Sequence, residues 1–250
     1  MNFLVFRLKH IIIAAIALAA AFVIGFSVPC AVNVFNVNGR EIPIYSVERD
    51  DNKIALTFDC AWGDEDVDAV LKTLDEYDCK ATFFVTGDWA QRCSASLKKI
   101  ADAGHEIGNH SYNHADYTKL SAGDITADLG KADSAIEEAA GTKPRLARAP
   151  SGGYNNTVVK TIEESGRQYI QWSVDGIDYG DADAASIYER CVKKTKAGDI
   201  ILLHTGTKNT ANILPKIIEA LECDYELVTV SELIYDEDYR IDNTGRQFKR

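Results

Sequence analysis

The sequence predicts an α/β fold on a largely parallel sheet, either a barrel or a curved open sheet, behind an apolar N-terminal helix and a short β-hairpin. Three observations carry that prediction. From Ile54 onward short apolar runs alternate with amphipathic stretches, the reactive side chains fall at the ends of those runs, and an unbroken apolar segment precedes them all. The 250 residues, 46% of them hydrophobic, suffice for one well-packed domain and hardly for two.

The first element is Ile11 to Val28, IIIAAIALAAAFVIGFSV, preceded by Arg7, Lys9 and His10. As a helix its 18 residues would cover roughly 27 Å, close to a hydrocarbon core. A cleaved signal peptide is the alternative, but the run is long for one and no clear small-x-small site follows before Pro29 and Cys30. The expectation is an uncleaved signal anchor over residues 1–30, with the basic end in the cytoplasm and the rest of the chain outside.

The lead-in, residues 31–52, places Asn38-Gly39 between VNVFNV and REIPIYSV, a type I′ hairpin signal. A domain over residues 53–240 follows. Its strands are expected at Ile54–Phe58, Ala81–Val85, His105–Gly108, Arg145–Arg148, Tyr169–Ser173, Ile200–His204 and Glu226–Val230. Helices fill the gaps: Val67, Val70, Leu71 and Leu74 form one apolar stripe, and Ile125, Leu129, Ala132 and Ile136 another, entered through Ser121. Gly104, Gly141 and Gly166 stand where C-caps belong.

A net charge of -11 argues against a phosphate-backbone partner, so no nucleic acid is expected. The six cysteines show neither zinc-knuckle spacing nor a readable disulfide framework.

Asp59, His110, His114, Arg148, Asp175, Asp178 and His204 all lie at or just beyond the carboxyl ends of predicted strands, the edge where βα loops converge on one mouth. His110 and His114 stand four apart, so both imidazoles can aim at one point. His105, at the start of a strand, reads as a core histidine.

TFDCAWG (Thr57–Gly63), HSYNH (His110–His114), RAPSGGYN (Arg148–Asn155), DGIDY (Asp175–Tyr179) and LLH (Leu202–His204) together resemble the five ordered motifs of the polysaccharide deacetylase family, the NodB-homology or carbohydrate esterase family 4 domain. PIYSVE and AWG look closest to its sporulation-type branch, associated with peptidoglycan. The resemblance implies a distorted (β/α)7 barrel and metal-dependent removal of acetyl groups from N-acetylated sugars. It implies Asp59 as general base, Arg148 as the arginine that holds it, His204 as general acid oriented by Asp178, and His110 and His114 as ligands of a divalent metal, with zinc expected. Ser151 would offer its backbone N–H to the oxyanion, and Leu202 and Tyr179 would receive the acetyl methyl. Trp62 and Trp89 could stack on sugars or pack in the core. The partners expected are a glycan, and a membrane through the N-terminal helix.

One position departs from the pattern. Relatives carry a second aspartate, a metal ligand, where this chain has Cys60. A thiolate could replace it on zinc, or the cysteine could be inert filler, as the apolar residue often found there in sporulation-type relatives suggests.

Overall fold

The structure, a computed structural model, describes residues 36, 37 and 39–250. The predicted anchor lies outside the described residues, and no helix among them is long and apolar enough to cross a membrane.

The centre of the fold is β4 (Lys53–Cys60), KIALTFDC, buried along almost its whole length. A strand apolar on both faces belongs in the middle of a parallel sheet covered by helices. One edge of β4 pairs with β10 (Ile200–His204). Pairing also joins it to β11 (Glu226–Val228) at its start and to β5 (Thr82–Val85) at its end. The parallel ladder continues through β6 (Glu106–Asn109) and β7 (Leu146–Ala147) to β8 (Gln168–Tyr169), while β10 carries β9 (Val174–Asp175) on its far side.

The strand expected at Tyr169–Ser173 is therefore two short strands at opposite ends of the sheet order. Between them the backbone changes partner: Ile170 N–H donates to Ala147 O, Gln171 N–H to Ile44 O in the lead-in, and Ser173 N–H to Ile200 O. A curved sheet interrupted there is a half-barrel. The strand expected at Glu226–Val230 stops at Val228 because Thr229 caps the short helix Val230–Leu233 in a reciprocal bond pair with Glu232.

Helices cover the outer face. α1 (Val67–Glu76) buries Val67, Val70 and Leu74, and α4 (Ala122–Ala140) buries Ile125, Leu129, Ala132 and Ile136. α2 (Gly87–Arg92) and α3 (Ser94–Asp102) lie between them in the chain. The Ser121 side chain accepts from Asp124 N–H to start α4, and Gly141, at φ 70°, ends it. α5 (Asn156–Glu164), α6 (Ala184–Lys193) and α7 (Thr210–Leu221) follow.

The lead-in forms a hairpin, β1 (Asn36–Val37) with β2 (Arg40–Glu41), in which Asn36 pairs with Glu41 and Val37 with Arg40. Further on, β3 (Ser46–Val47) pairs with β13 (Arg246–Lys249), itself antiparallel to β12 (Tyr239–Ile241). The chain's last residues thus close over its lead-in.

Candidate active site

Register creates the site. Asp59 of β4 and His204 of β10 are direct Cα partners on adjacent parallel strands. Partners in register point to the same face, so both side chains turn to the inside of the sheet. His110 follows β6, Arg148 follows β7 and Asp178 lies three residues past β9, so every one of these groups arrives from a carboxyl end.

The first cluster surrounds Asp59, which is 5% exposed. Arg148, also buried, donates from Nη1 to Asp59 Oδ1 at 2.7 Å and to Thr57 Oγ1 at 3.0 Å, and from Nη2 to Gln171 O at 3.1 Å. The contact is not the bidentate fork the charge pair allowed, because the second nitrogen is spent on the carbonyl where β8 breaks off. Phe84 and Trp172 hold the guanidinium at 4.0 and 5.4 Å from their ring centres. Burial opposes the charge on Asp59, but the charges of Arg148 and His204 and the Arg148 hydrogen bond favour it and keep the carboxyl below its usual range.

His110 is buried, and burial drives its imidazole down to about 4 against the pull of Asp59. Its Nδ1 lies 2.8 Å from Arg148 O, a partner that can only accept, so Nδ1 carries the hydrogen and Nε2 the lone pair. Nε2 faces Asp59 Oδ2 at 3.4 Å. Two acceptors aimed at each other call for a cation. His114 stands edge-on to His110 with ring centres 5.1 Å apart.

These donors fit a divalent metal through two imidazole nitrogens, with the His110 tautomer already set by the Arg148 carbonyl. No third protein ligand joins them: among the described residues no group of three His, Cys, Asp or Glu is arranged to hold a metal ion. Cys60 does not supply one. The strand runs on through Cys60, so the pleat that turns Asp59 inward turns Cys60 outward. There it is fully buried in a cluster that also contains Val67, Val70, Trp89 and Ala90. Burial pushes its thiol far up, the reverse of what a ligating thiolate needs.

The second cluster surrounds His204. Its Nδ1 lies 2.7 Å from Asp178 Oδ1, its backbone N–H donates to Asp178 Oδ2, and Thr210 Oγ1 donates to that same oxygen at 2.5 Å. Burial would lower the imidazole, but the Asp178 bond and the charges of Asp59, Asp178 and Asp175 prevail and raise it. The surroundings thus favour the protonated form of His204 and the neutral form of His110.

Both clusters open on one cleft of roughly 700 Å³, lined by Asp59, His114, Ser151, Tyr179, Leu202 and His204 among others. Asp178, Arg148 and His110 stand behind its wall. Asp175 accepts from Ile177 N–H at 2.8 Å, holding Ile177 at φ 47°, a conformation costly for a β-branched residue. His105 is buried and its Nδ1 accepts from Ala81 N–H. Trp89 is buried and donates from Nε1 to Gly63 O, whereas Trp62 is exposed and stacks on His204 at 5.0 Å.

Sequence reasoning missed Thr210, Trp172 and Lys208. Nothing in their spacing marks them, since distant segments bring Trp172 and Lys208 to the cleft and Thr210, at the start of α7, to Asp178 behind its wall. Thr57 lay in plain view in the first motif; its hydroxyl accepts from Arg148 and donates to Ile201 O.

Comparison with known proteins places this geometry. The family described as Polysaccharide deacetylase matches residues 46–170. YlxY of Bacillus subtilis, an uncharacterized protein, is 35% identical over 77% of this chain, which spans 60% of YlxY. A peptidoglycan-N-acetylglucosamine deacetylase of Bacillus cereus is 36% identical over 76% of this chain and 92% of its own length. Among solved structures, BA3943 of Bacillus anthracis, described as a CE4 family pseudoenzyme, matches at TM-score 0.74 and 33% identity over 83% of this chain and 73% of its own. A BA3943 mutant described as having restored enzymatic activity matches at TM-score 0.74 and 35% identity, over 80% of this chain and 72% of the mutant.

Proposed function

This chain belongs to the polysaccharide deacetylase family, whose members are generally metal-dependent, and from that membership we propose that it hydrolyses N-acetyl groups of an amino-sugar polymer, peptidoglycan, outside the cell. The observation that carries the reading is the lateral register of Asp59 with His204, a proton acceptor and a proton donor side by side, each with its own buried partner.

Water and the acetamide are converted to acetate and a free amine. A divalent metal held through His110 and His114, zinc by preference for its imidazole ligands, would polarise the acetyl carbonyl and acidify the attacking water. Asp59, kept ionised and fixed by Arg148, accepts the water's proton. Ser151 N–H faces the oxygen on which charge develops, and Leu202 and Tyr179 enclose the methyl. His204, charged and aligned by Asp178, delivers its proton to the departing nitrogen. The apolar run at residues 11–28 tethers this domain to the membrane.

Amine release from N-acetylated chito-oligomers and purified peptidoglycan, measured after chelation and after metal is returned, tests the reading. Asp59→Asn and His204→Ala should each slow turnover by ~10²-fold or more with unchanged circular dichroism. Near-wild-type rates in either variant would remove the assigned role.

A second reading, a weakened or silent glycan-binding homologue, is favoured by Cys60 and by the likeness to BA3943. It expects glycan binding with no amine release at any metal concentration.

A further inference from the structure

Ser111 and His114 both stand at positive φ, 66° and 61°, a backbone region that residues with side chains keep only where their surroundings hold them. Two helices do the holding. Ser111 O accepts from Gly87 N–H at 2.9 Å and Tyr112 O from Asp88 N–H at 2.8 Å, both at the start of α2. From α4, Asp128 Oδ1 accepts from Tyr112 N–H at 2.9 Å and from the Tyr117 hydroxyl at 2.6 Å. Ser111 N–H donates to Asn109 Oδ1, and Asn109 Nδ2 donates in turn to Leu129 O and Asp133 Oδ1. The two helices are themselves so close that a Cβ at Gly87 would lie 2.9 Å from Ala132 Cα.

The N–H and C=O of both Ser111 and Tyr112 are thus engaged, so the segment between the two imidazoles is set by partners outside the cleft. Of these four bonds, only the one to Asp128 reaches the loop through the side chain of another helix, and its acceptor is a carboxylate, which makes the stronger kind of bond. It falls on Tyr112, midway between His110 and His114. Ligands held in place before a metal arrives spare its binding the entropy of ordering them. With two imidazoles and no third ligand among the described residues, that order is the main thing that can fix the ion's position.

We propose that Asp128 is a positioning residue for the metal pair, fixing the loop between His110 and His114 so that both imidazoles meet one ion without rearrangement. The inference rests on the metal-dependent reading of the cleft and goes beyond it. It gives a carboxylate on α4, outside the five motifs, a share in the affinity for a metal that it does not touch.

The test is the zinc affinity of the full chain, measured by competition with a chromophoric chelator. Asp128→Ala should weaken binding about tenfold, the lower end of what loss of a ligand-supporting partner costs. Asp128→Ser, too short to reach Tyr112 N–H, should do the same and carries the test if Asp128→Ala does not fold. Asp128→Asn, whose amide oxygen still accepts from Tyr112 N–H, should stay within about threefold of wild type. Tyr117→Phe deletes the other bond to the same oxygen, and should lower Tm while leaving zinc affinity as it was. In the metal-free protein, exchange of the Tyr112 amide hydrogen should quicken in Asp128→Ala and not in Tyr117→Phe. Unchanged zinc affinity in the folded alanine or serine variant would overturn the proposal. Equal losses in Asp128→Ala and Tyr117→Phe would overturn it too, by showing a general loosening of α4. Because affinity is read without turnover, zinc binding that depends on Asp128 with no amine release would refute deacetylation and leave the positioning role standing. Amine release with a metal affinity indifferent to Asp128 would do the reverse.

Discussion

His204 is held through Asp178, which Thr210 binds in turn, and Trp62 stacks on its ring. Its raised pKa means that the acid form persists above the ordinary 6.5 and is lost as pH rises through the folded value. Asp178→Asn removes the hydrogen-bonded charge that opposes burial, so the basic limb of the kcat/KM profile should move to lower pH. An NMR titration of the imidazole should follow it, and a limb that stays in place would refute the pairing. Cys60 gives a second test at this scale. Because its thiol faces the apolar layer, Cys60→Ala should leave zinc affinity within about twofold, as measured against a chromophoric chelator. Cys60→Asp buries a carboxylate among apolar groups and should cost the metal-free protein several kcal/mol. If that carboxylate turns toward His110 and His114, added zinc should restore stability and raise amine release. The identities of these residues were legible in the motifs. Which way Cys60 points was not, because the strand was expected to end at Phe58 and instead runs two residues further, extending the pleat's alternation through Asp59 and Cys60.

At the scale of elements, the junction between the loops after β4 and β10 depends on Gly206. Gly206→Ala adds both a positive-φ penalty and a clash with Gly63, and should cost about 1–3 kcal/mol and lower turnover more than it lowers Tm alone would explain. The docking of the lead-in on α5 gives a pH test. Burial first, and the nearby Glu41 second, push Glu163 up to about 8. The folded state then binds the proton more tightly than the unfolded one, so the stability this group contributes is present at low pH and is lost as pH rises toward 8. Glu163→Gln should therefore raise Tm by a few degrees at pH 8 and much less at pH 5. Equal shifts at both would show that the carboxyl is not held neutral. The helices with clear apolar stripes were readable from spacing alone. The division of the strand near Tyr169 was not, since it is made by Ile44 and Ile200 competing for its backbone from distant parts of the chain.

For the whole molecule, the charge asymmetry of the first ten residues leads us to expect the domain outside the membrane. External protease on intact cells should digest the bulk of the chain, and protection of the whole domain would refute that placement. What the sequence by itself determined was the α/β class and the gathering of the strand-end residues at one edge of the sheet. Periodicity and strand-end position are local properties, and five short motifs carry their chemistry wherever the chain is read. Tertiary structure alone decided four further points. It left the sheet as a half-barrel broken between β8 and β9, and it joined the last strands to the lead-in. It also turned Cys60 away from the imidazoles, and it brought Trp172 and Lys208 to the cleft and Thr210 to Asp178. Each of these depends on which distant backbone supplies a hydrogen bond or which face of a strand meets solvent. Such choices are made by the closing of long loops around a shared core, and no local pattern encodes them.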